Sequence, residues 1–205
     1  MPVLGLIPDK PLESWPLTGR IGILDLEFTS WDGSWQRGWS EPWEWREIVQ
    51  IGILIVDVGK AFSKIEGKEV MVIPQRNPVL STYFQRLTGI TQAELHSKGV
   101  DFESAVSEIQ PYLKKVDVLI FNGQDGQILR ENCSFNGVKF PWKSLKMFNF
   151  RPLLAKSLGL SQGDLISSTL PTLAGLTNFG KAHTALDDCN AIAIALAIWR
   201  KEGKI

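Results

Sequence analysis

The chain lacks an excess of either charge. Lys and Arg total 22 and Asp and Glu total 22, so the formal net charge is zero across 205 residues. That excludes a protein that coats nucleic acid by bulk electrostatics, because such binding depends on a large cationic surplus. A local basic face stays compatible. Cysteine is scarce: the two present, Cys133 and Cys189, lie far apart and show no Cys-x-x-Cys spacing. This argues against a structural zinc site and favours free thiols in a reducing compartment over a lone disulfide. Long apolar runs are missing as well. The longest is Ala191–Trp199, nine residues, where about 20 are needed to cross a bilayer. The N-terminus lacks the basic start and long apolar stretch of a signal peptide. The expectation is a cytoplasmic protein without a membrane partner. Internal repeats and low-complexity segments are also absent.

What is present is ordinary globular material, 44% apolar and 21% charged. That composition excludes disorder as the main state, and the length fits one domain with a real core. Residues 1–19 carry four prolines and read as an extended arm. Strand patterns follow at Arg20–Phe28, Glu47–Asp57 and Glu69–Ile73, with Gly59 and Gly67 flanking a hairpin connection. The period then becomes helical at Ser81–Leu87, Thr91–His96 and Asp101–Lys115. Two further strands are predicted at Val116–Phe121 and Leu145–Phe150. Helical patterns are predicted at Gly126–Asn132, Arg151–Leu158, Thr172–Phe179 and Thr184–Lys201. Strands followed by alternating helices and strands indicate a layered α/β fold with a mixed sheet. The unusual feature is eight Trp, five of them between Trp31 and Trp45.

Alternation along the first strand puts Ile21, Ile23, Asp25 and Glu27 on one face. Two carboxylates at i and i+2, about 7 Å apart, repel each other and favour a hard cation between them. A strand that has simply reached solvent would look similar. Asp125 lies in the turn-like FNGQDG, just past a buried strand, where ligands gather in α/β sheets. Asp117 is its competitor but begins that strand and so sits at the opposite end. His183 is one of two histidines and a candidate base. Asp187 and Asp188 open the last helix, where the dipole favours a carboxylate in any case. His96 reads as a surface residue.

Together, Asp25-x-Glu27, Asp125 and His183-x4-Asp188 resemble the DEDDh exonucleases of the ribonuclease-H-like superfamily. The matching stretches are ILDLEFTSW, EIVQIG, LTGIT at 87–91 and HTALDDCNAIA at 183–193. The likeness is nearest the Eri1-like branch, which includes bacterial inhibitors of a sporulation-kinase pathway, and runs from Arg20 to about Trp199. One departure is local: Asn122-Gly-Gln-Asp125 is shorter than the family pattern and lacks its aromatic residue before the Asp.

The resemblance implies a three-layer fold, a five-stranded mixed sheet with helices on both faces. Beyond the arm at 1–19, it implies an exonuclease domain at 20–205. It implies two Mg²⁺ or Mn²⁺ ions held by Asp25, Glu27, Asp125 and Asp188, with His183 taking a proton from the attacking water. A neutral imidazole is then required, and activity falls below roughly pH 6. The partner implied is the 3′ end of single-stranded RNA or DNA, cut to nucleoside 5′-monophosphates, with Phe28, Thr29 and Leu87 cradling the terminal nucleotide. Phe28 fits a core position equally well.

The tryptophan-rich segment lies beside the acidic pair. Trp31, Trp35 or Trp39 could stack on bases, or the group could be a satellite cluster covering the sheet edge. Residues 132–163 hold Lys139, Lys143, Lys146, Arg151 and Lys156 without an Asp or Glu. They read as a phosphate-tracking flank or as a solvated face. Two alternatives to an exonuclease stand: a nuclease-fold module acting through a protein partner, and a ribonuclease-H-type endonuclease.

Overall fold

Arg20–Phe28 combines an alternating pattern with β-favouring residues, and it forms the strand around which the sheet is assembled. The structure, a computed structural model, describes residues 9–139, 145–177 and 184–205. Its strands are β1 (Lys10–Pro11), β2 (Arg20–Phe28), β3 (Ile48–Asp57), β4 (Ser63–Met71), β5 (Val118–Phe121) and β6 (Lys146–Asn149). They lie in the order β1-β6-β5-β2-β3-β4. β2, β3 and β4 are antiparallel neighbours, whereas β5 runs parallel to β2, β6 to β5 and β1 to β6.

The helices are α1 (Ser34–Arg37), α2 (Thr82–Thr88), α3 (Gln92–Lys98), α4 (Phe102–Leu113), α5 (Asp125–Phe135), α6 (Arg151–Leu158), α7 (Leu170–Leu173) and α8 (Ala185–Lys201). Four of them start on a side-chain cap. Ser81, Thr91, Asp101 and Thr184 each accept a hydrogen bond from a backbone N–H of the first turn.

Strand alternation divides the core between the two faces of the sheet. Ile21, Ile23, Leu54 and Val56 pack with Leu154 of α6 and with Ile192, Leu196 and Trp199 of α8. Leu24, Leu26, Ile51 and Ile53 pack with Phe102 and Ile109 of α4 and Ile128 and Leu129 of α5. Each such fully buried side chain contributes about 1.5–3 kcal/mol. Helices on both faces of a mixed sheet match the expected architecture.

The strand count needs correction. The sheet has six strands, because Lys10–Pro11 of the proline-rich arm pairs in parallel with Phe148–Asn149. β4 begins at Ser63 rather than Glu69, so Gly67 lies within the strand and does not flank the hairpin. The connection between β3 and β4 is instead a 3-10 turn at Val58–Lys60. The helix predicted at Thr172–Phe179 is displaced to Leu170–Leu173, and Gly175 follows at φ 88°, a conformation that ends a helix. Asn178 and Phe179 lie outside the described residues.

Candidate active site

The acidic end of β2 faces a strand built to admit a helix. In the antiparallel register Asp25 lies opposite Gly52 and Glu27 opposite Gln50. A Cβ on Gly52 would come within 2.3 Å of the Ala185 carbonyl carbon, so glycine lets the start of α8 rest on the sheet. The Gln50 side-chain oxygen accepts from Ala185 N at 2.9 Å, and a Glu69 carboxylate oxygen accepts from Leu186 N at 3.2 Å. These bonds satisfy helix N–H groups that lack intrahelical partners. One turn on, the Cys189 thiol donates to the carbonyls of Ile23 and Gly52, each at 3.4 Å. Thr184 caps the helix, its side chain accepting from Asp187 N, and its hydroxyl donates to the carboxylate of exposed Asp187. Asp188 is buried.

Docking of α8 brings three carboxylates together. Asp25, Glu27 and Asp188 each offer an oxygen, and these oxygens lie within 4.8 Å of one another. Asp125, the buried first residue of α5, adds a fourth carboxylate, and its field reaches both members of the β2 pair.

Burial pushes Asp25 well above the ordinary carboxylate range, reinforced by Asp125, Asp188 and Glu27, while a hydrogen bond from Ser167 partly offsets this. Burial, then the charges of Asp188, Asp125 and Glu69, raises Glu27 to about 8. Asp125 rises to about 7, again through burial, despite backbone hydrogen bonds at its own residue and Leu26 and the nearby Arg151 charge. Four carboxylates so placed resist ionising together unless cations join them. The donor set is all oxygen, as hard divalent cations require. The residues therefore fit a Mg²⁺-like or Mn²⁺-like group.

A polar network frames the cluster. Asn122, at the end of β5, donates to the Leu165 carbonyl at 3.0 Å and to Ser167 Oγ at 3.1 Å. Arg151 Nε donates to Asn122 Oδ1 and Arg151 Nη2 to the Asn122 carbonyl, both at 2.8 Å. Asn149 Oδ1 accepts from Gly123 N at 3.1 Å and from Arg151 N at 3.0 Å. The arm also reaches this region. Asp9 accepts from Gln127 N at 3.0 Å, pairs with Arg130, and adds negative field at Asp125.

The other expected site residues are spread around this centre. His183 lies outside the described residues. His96 is exposed, with its ring 3.0 Å from the Gln92 amide. Asp117 sits at the N-terminal end of β5, away from the cluster. Phe28 is half-buried and follows a bulge that shifts the register after Glu27. Thr29 is buried: its hydroxyl donates to the Trp45 carbonyl and accepts from Glu47 N at 3.0 Å. Leu87 is exposed on α2, and Ser81 at the start of that helix donates to the Ser30 carbonyl at 2.5 Å.

Of the basic run, Arg151 has the acidic cluster beside it. Lys146 begins β6 and lies at the far end of the sheet, Lys139 and Lys156 are exposed, and Lys143 lies outside the described residues. Gln50, Gly52, Glu69, Ser167 and Asp9 were not singled out from the sequence. Only Gly52 carried a local signal, a glycine inside an otherwise apolar strand.

A family model described as an exonuclease, RNase_T, matches residues 23–196. A curated relative from Bacillus subtilis (strain 168), the probable 3'-5' exonuclease KapD, is 29% identical over 186 residues, covering 83% of this chain and 80% of the relative. The fold is similar to a full-length 3'-exonuclease, with TM-score 0.76 and 20% identity over 97% of this chain. The present chain spans only 64% of the length of that structure. It is also similar to the nuclease domain of 3'hExo, a DEDDh family member bound to rAMP, with TM-score 0.75 and 21% identity over 90% of this chain and 92% of that one.

Proposed function

The chain belongs to the RNase_T exonuclease family, and from that premise we propose that it is of DEDDh type and hydrolyses single-stranded RNA or DNA from the 3′ end to nucleoside 5′-monophosphates. The observation that carries this reading is the convergence of Asp25, Glu27 and Asp188, with oxygens within 4.8 Å of one another, beside a buried Asp125. Such a set is costly in a protein without a reaction that uses cations.

Asp25, Glu27, Asp125 and Asp188 would hold two Mg²⁺ or Mn²⁺ ions. When bound, such a pair neutralises phosphate and stabilises the attacking and leaving oxygens of an in-line displacement. The chain's own residues do the rest. An imidazole nitrogen of His183, just upstream of the Thr184 cap, takes the proton from the attacking water. Phe28 and Leu87 line the path of the terminal nucleotide, with backbone at Thr29 supporting it. Arg151 keeps positive charge beside Asp125 and orients Asn122. Residues 20–205 form the catalytic domain. Cytoplasmic residence belongs to the same reading, supported by two buried unpaired thiols. Among the described residues no helix is long and apolar enough to cross a membrane.

The test is a time course on matched 5′-labelled RNA and DNA oligonucleotides, with and without Mn²⁺. A ladder shortening by single nucleotides only when Mn²⁺ is present is expected. Internal fragments would indicate an endonuclease. Intact oligonucleotides that nevertheless bind would indicate a regulatory module.

A further inference from the structure

The loop between β2 and β3 spends its tryptophans in two different ways. Trp45 packs edge-on against Phe135 with ring centroids 5.1 Å apart, and the Arg76 guanidinium lies 4.4 Å from the Trp45 ring. That half is structural. Trp35 and Trp39 form a second group with Phe28. The Trp35–Trp39 centroids are 4.9 Å apart in a T-shaped pair, and Phe28 lies 6.3 Å from Trp35 and 5.5 Å from Trp39.

This second group is partly uncovered, with Phe28 and Trp39 half-buried. Trp35 is 56% exposed. Trp39 adopts φ 51°, a left-handed conformation unfavourable for a bulky residue, and its indole N–H donates to the Thr29 carbonyl at 3.1 Å. In the same loop the buried Glu44 accepts from Ser34 Oγ at 2.9 Å and pairs with Arg37. A loop that only covered apolar surface would turn its largest ring inward. Here the ring of Trp35 stays toward solvent, packed against half-buried Trp39 and Phe28.

Its location is the second argument. Phe28 directly follows Glu27 on β2. Arg46 stands 5.9 Å from the Trp39 ring centroid and donates to the Gln124 side chain at 2.9 Å, and Gln124 directly precedes Asp125. The ring group thus joins β2 just past Glu27, and Arg46 links it to the residue before Asp125.

We propose that Trp35 and Trp39, continuing outward from Phe28 at the terminal nucleotide, form a stacking platform for unpaired bases of the strand, upstream of the nucleotide being removed. This rests on the exonuclease reading and deepens it by naming unpaired bases, rather than phosphates alone, as what this surface recognises. Base–aromatic stacking tolerates any sequence because every base has a π-face.

The test is binding of a fluorescein-labelled single-stranded DNA 10-mer by anisotropy in Ca²⁺, alongside the same strand made abasic except at its 3′-terminal nucleotide. The wild type should bind the complete strand about 5- to 150-fold more tightly, the range set by stacking of one base. Trp35→Ala should weaken the complete strand toward the abasic one, and Trp35→Phe should restore most of the ratio. Trp43→Ala is the control, since Trp43 is equally exposed at 56% but joins neither ring group. Equal affinity of the wild type for both strands, or an equal loss in Trp43→Ala, would overturn the platform. Hydrolysis of the oligonucleotide in Mn²⁺ decides the exonuclease reading separately.

Discussion

Replacing Asp188 with Asn preserves the shape of the first turn of α8 and removes one charge from a group whose oxygens lie within 4.8 Å. Several kcal/mol of charge stabilisation are at stake, so Asp188→Asn and Asp25→Asn should each lower kcat by roughly 10³-fold with folding intact. Steady-state hydrolysis of a labelled oligonucleotide, alongside circular dichroism, checks this, and retained activity would remove the assigned residue from the site. These residues were readable because their arguments are local. Alternation fixes the common face of Asp25 and Glu27, and a helix start fixes the place of Asp188. Ser167 and Asp9 were not readable. Each acts on a carboxylate far away in sequence, and nothing in SST or PDK distinguishes a residue that will do so.

The seating of α8 is decided by a strand. Gly52→Ala would force a methyl group to within 2.3 Å of the Ala185 backbone, which no rotamer relieves. The helix must lift, at a cost of about 1–3 kcal/mol, carrying Asp188 away from Asp25 and Glu27. The expected result is a lower midpoint in urea together with a disproportionate loss of turnover that excess Mn²⁺ only partly restores. A variant with wild-type stability and activity would contradict this account of the docking. Long elements such as β2, β3 and α8 could be read from periodicity. The four-residue α1 and the two-residue β1 could not, because neither reaches a second repeat of its own pattern. β1 exists only through its pairing with β6.

Across the whole molecule the acidic centre gives stability an unusual pH dependence. Glu27 and Asp125 keep their protons in the fold to about 8 and about 7, whereas the unfolded chain releases them near pH 4. A group with a raised folded pKa contributes stability that is fully present below its unfolded value and lost as pH rises through the folded one. In chelator, the melting temperature should therefore fall between pH 5 and pH 8. Glu44, Glu94 and Asp101, held low by their hydrogen bonds, act in the opposite sense and at more acid pH. Mn²⁺ should abolish the fall by binding the ionised carboxylates. Thermal melts in EDTA and in Mn²⁺ would reveal this, and identical pH slopes would count against cation binding at the cluster.

The short strand β1 has a bearing on solubility. β6 would otherwise present an open row of backbone donors and acceptors, the template by which a second chain adds itself. Lys10 and Pro11 occupy that row, and Pro11 has no N–H with which to extend the ladder outward. At the opposite margin, β4 carries Lys64, Glu66, Lys68 and Glu69 along its length, a charged rim that discourages self-association. Removing residues 1–12 should therefore yield a protein that scatters light and forms intermolecular β-structure on gentle warming, while the full chain stays clear. Both margins of the sheet are thus poor templates for a further strand.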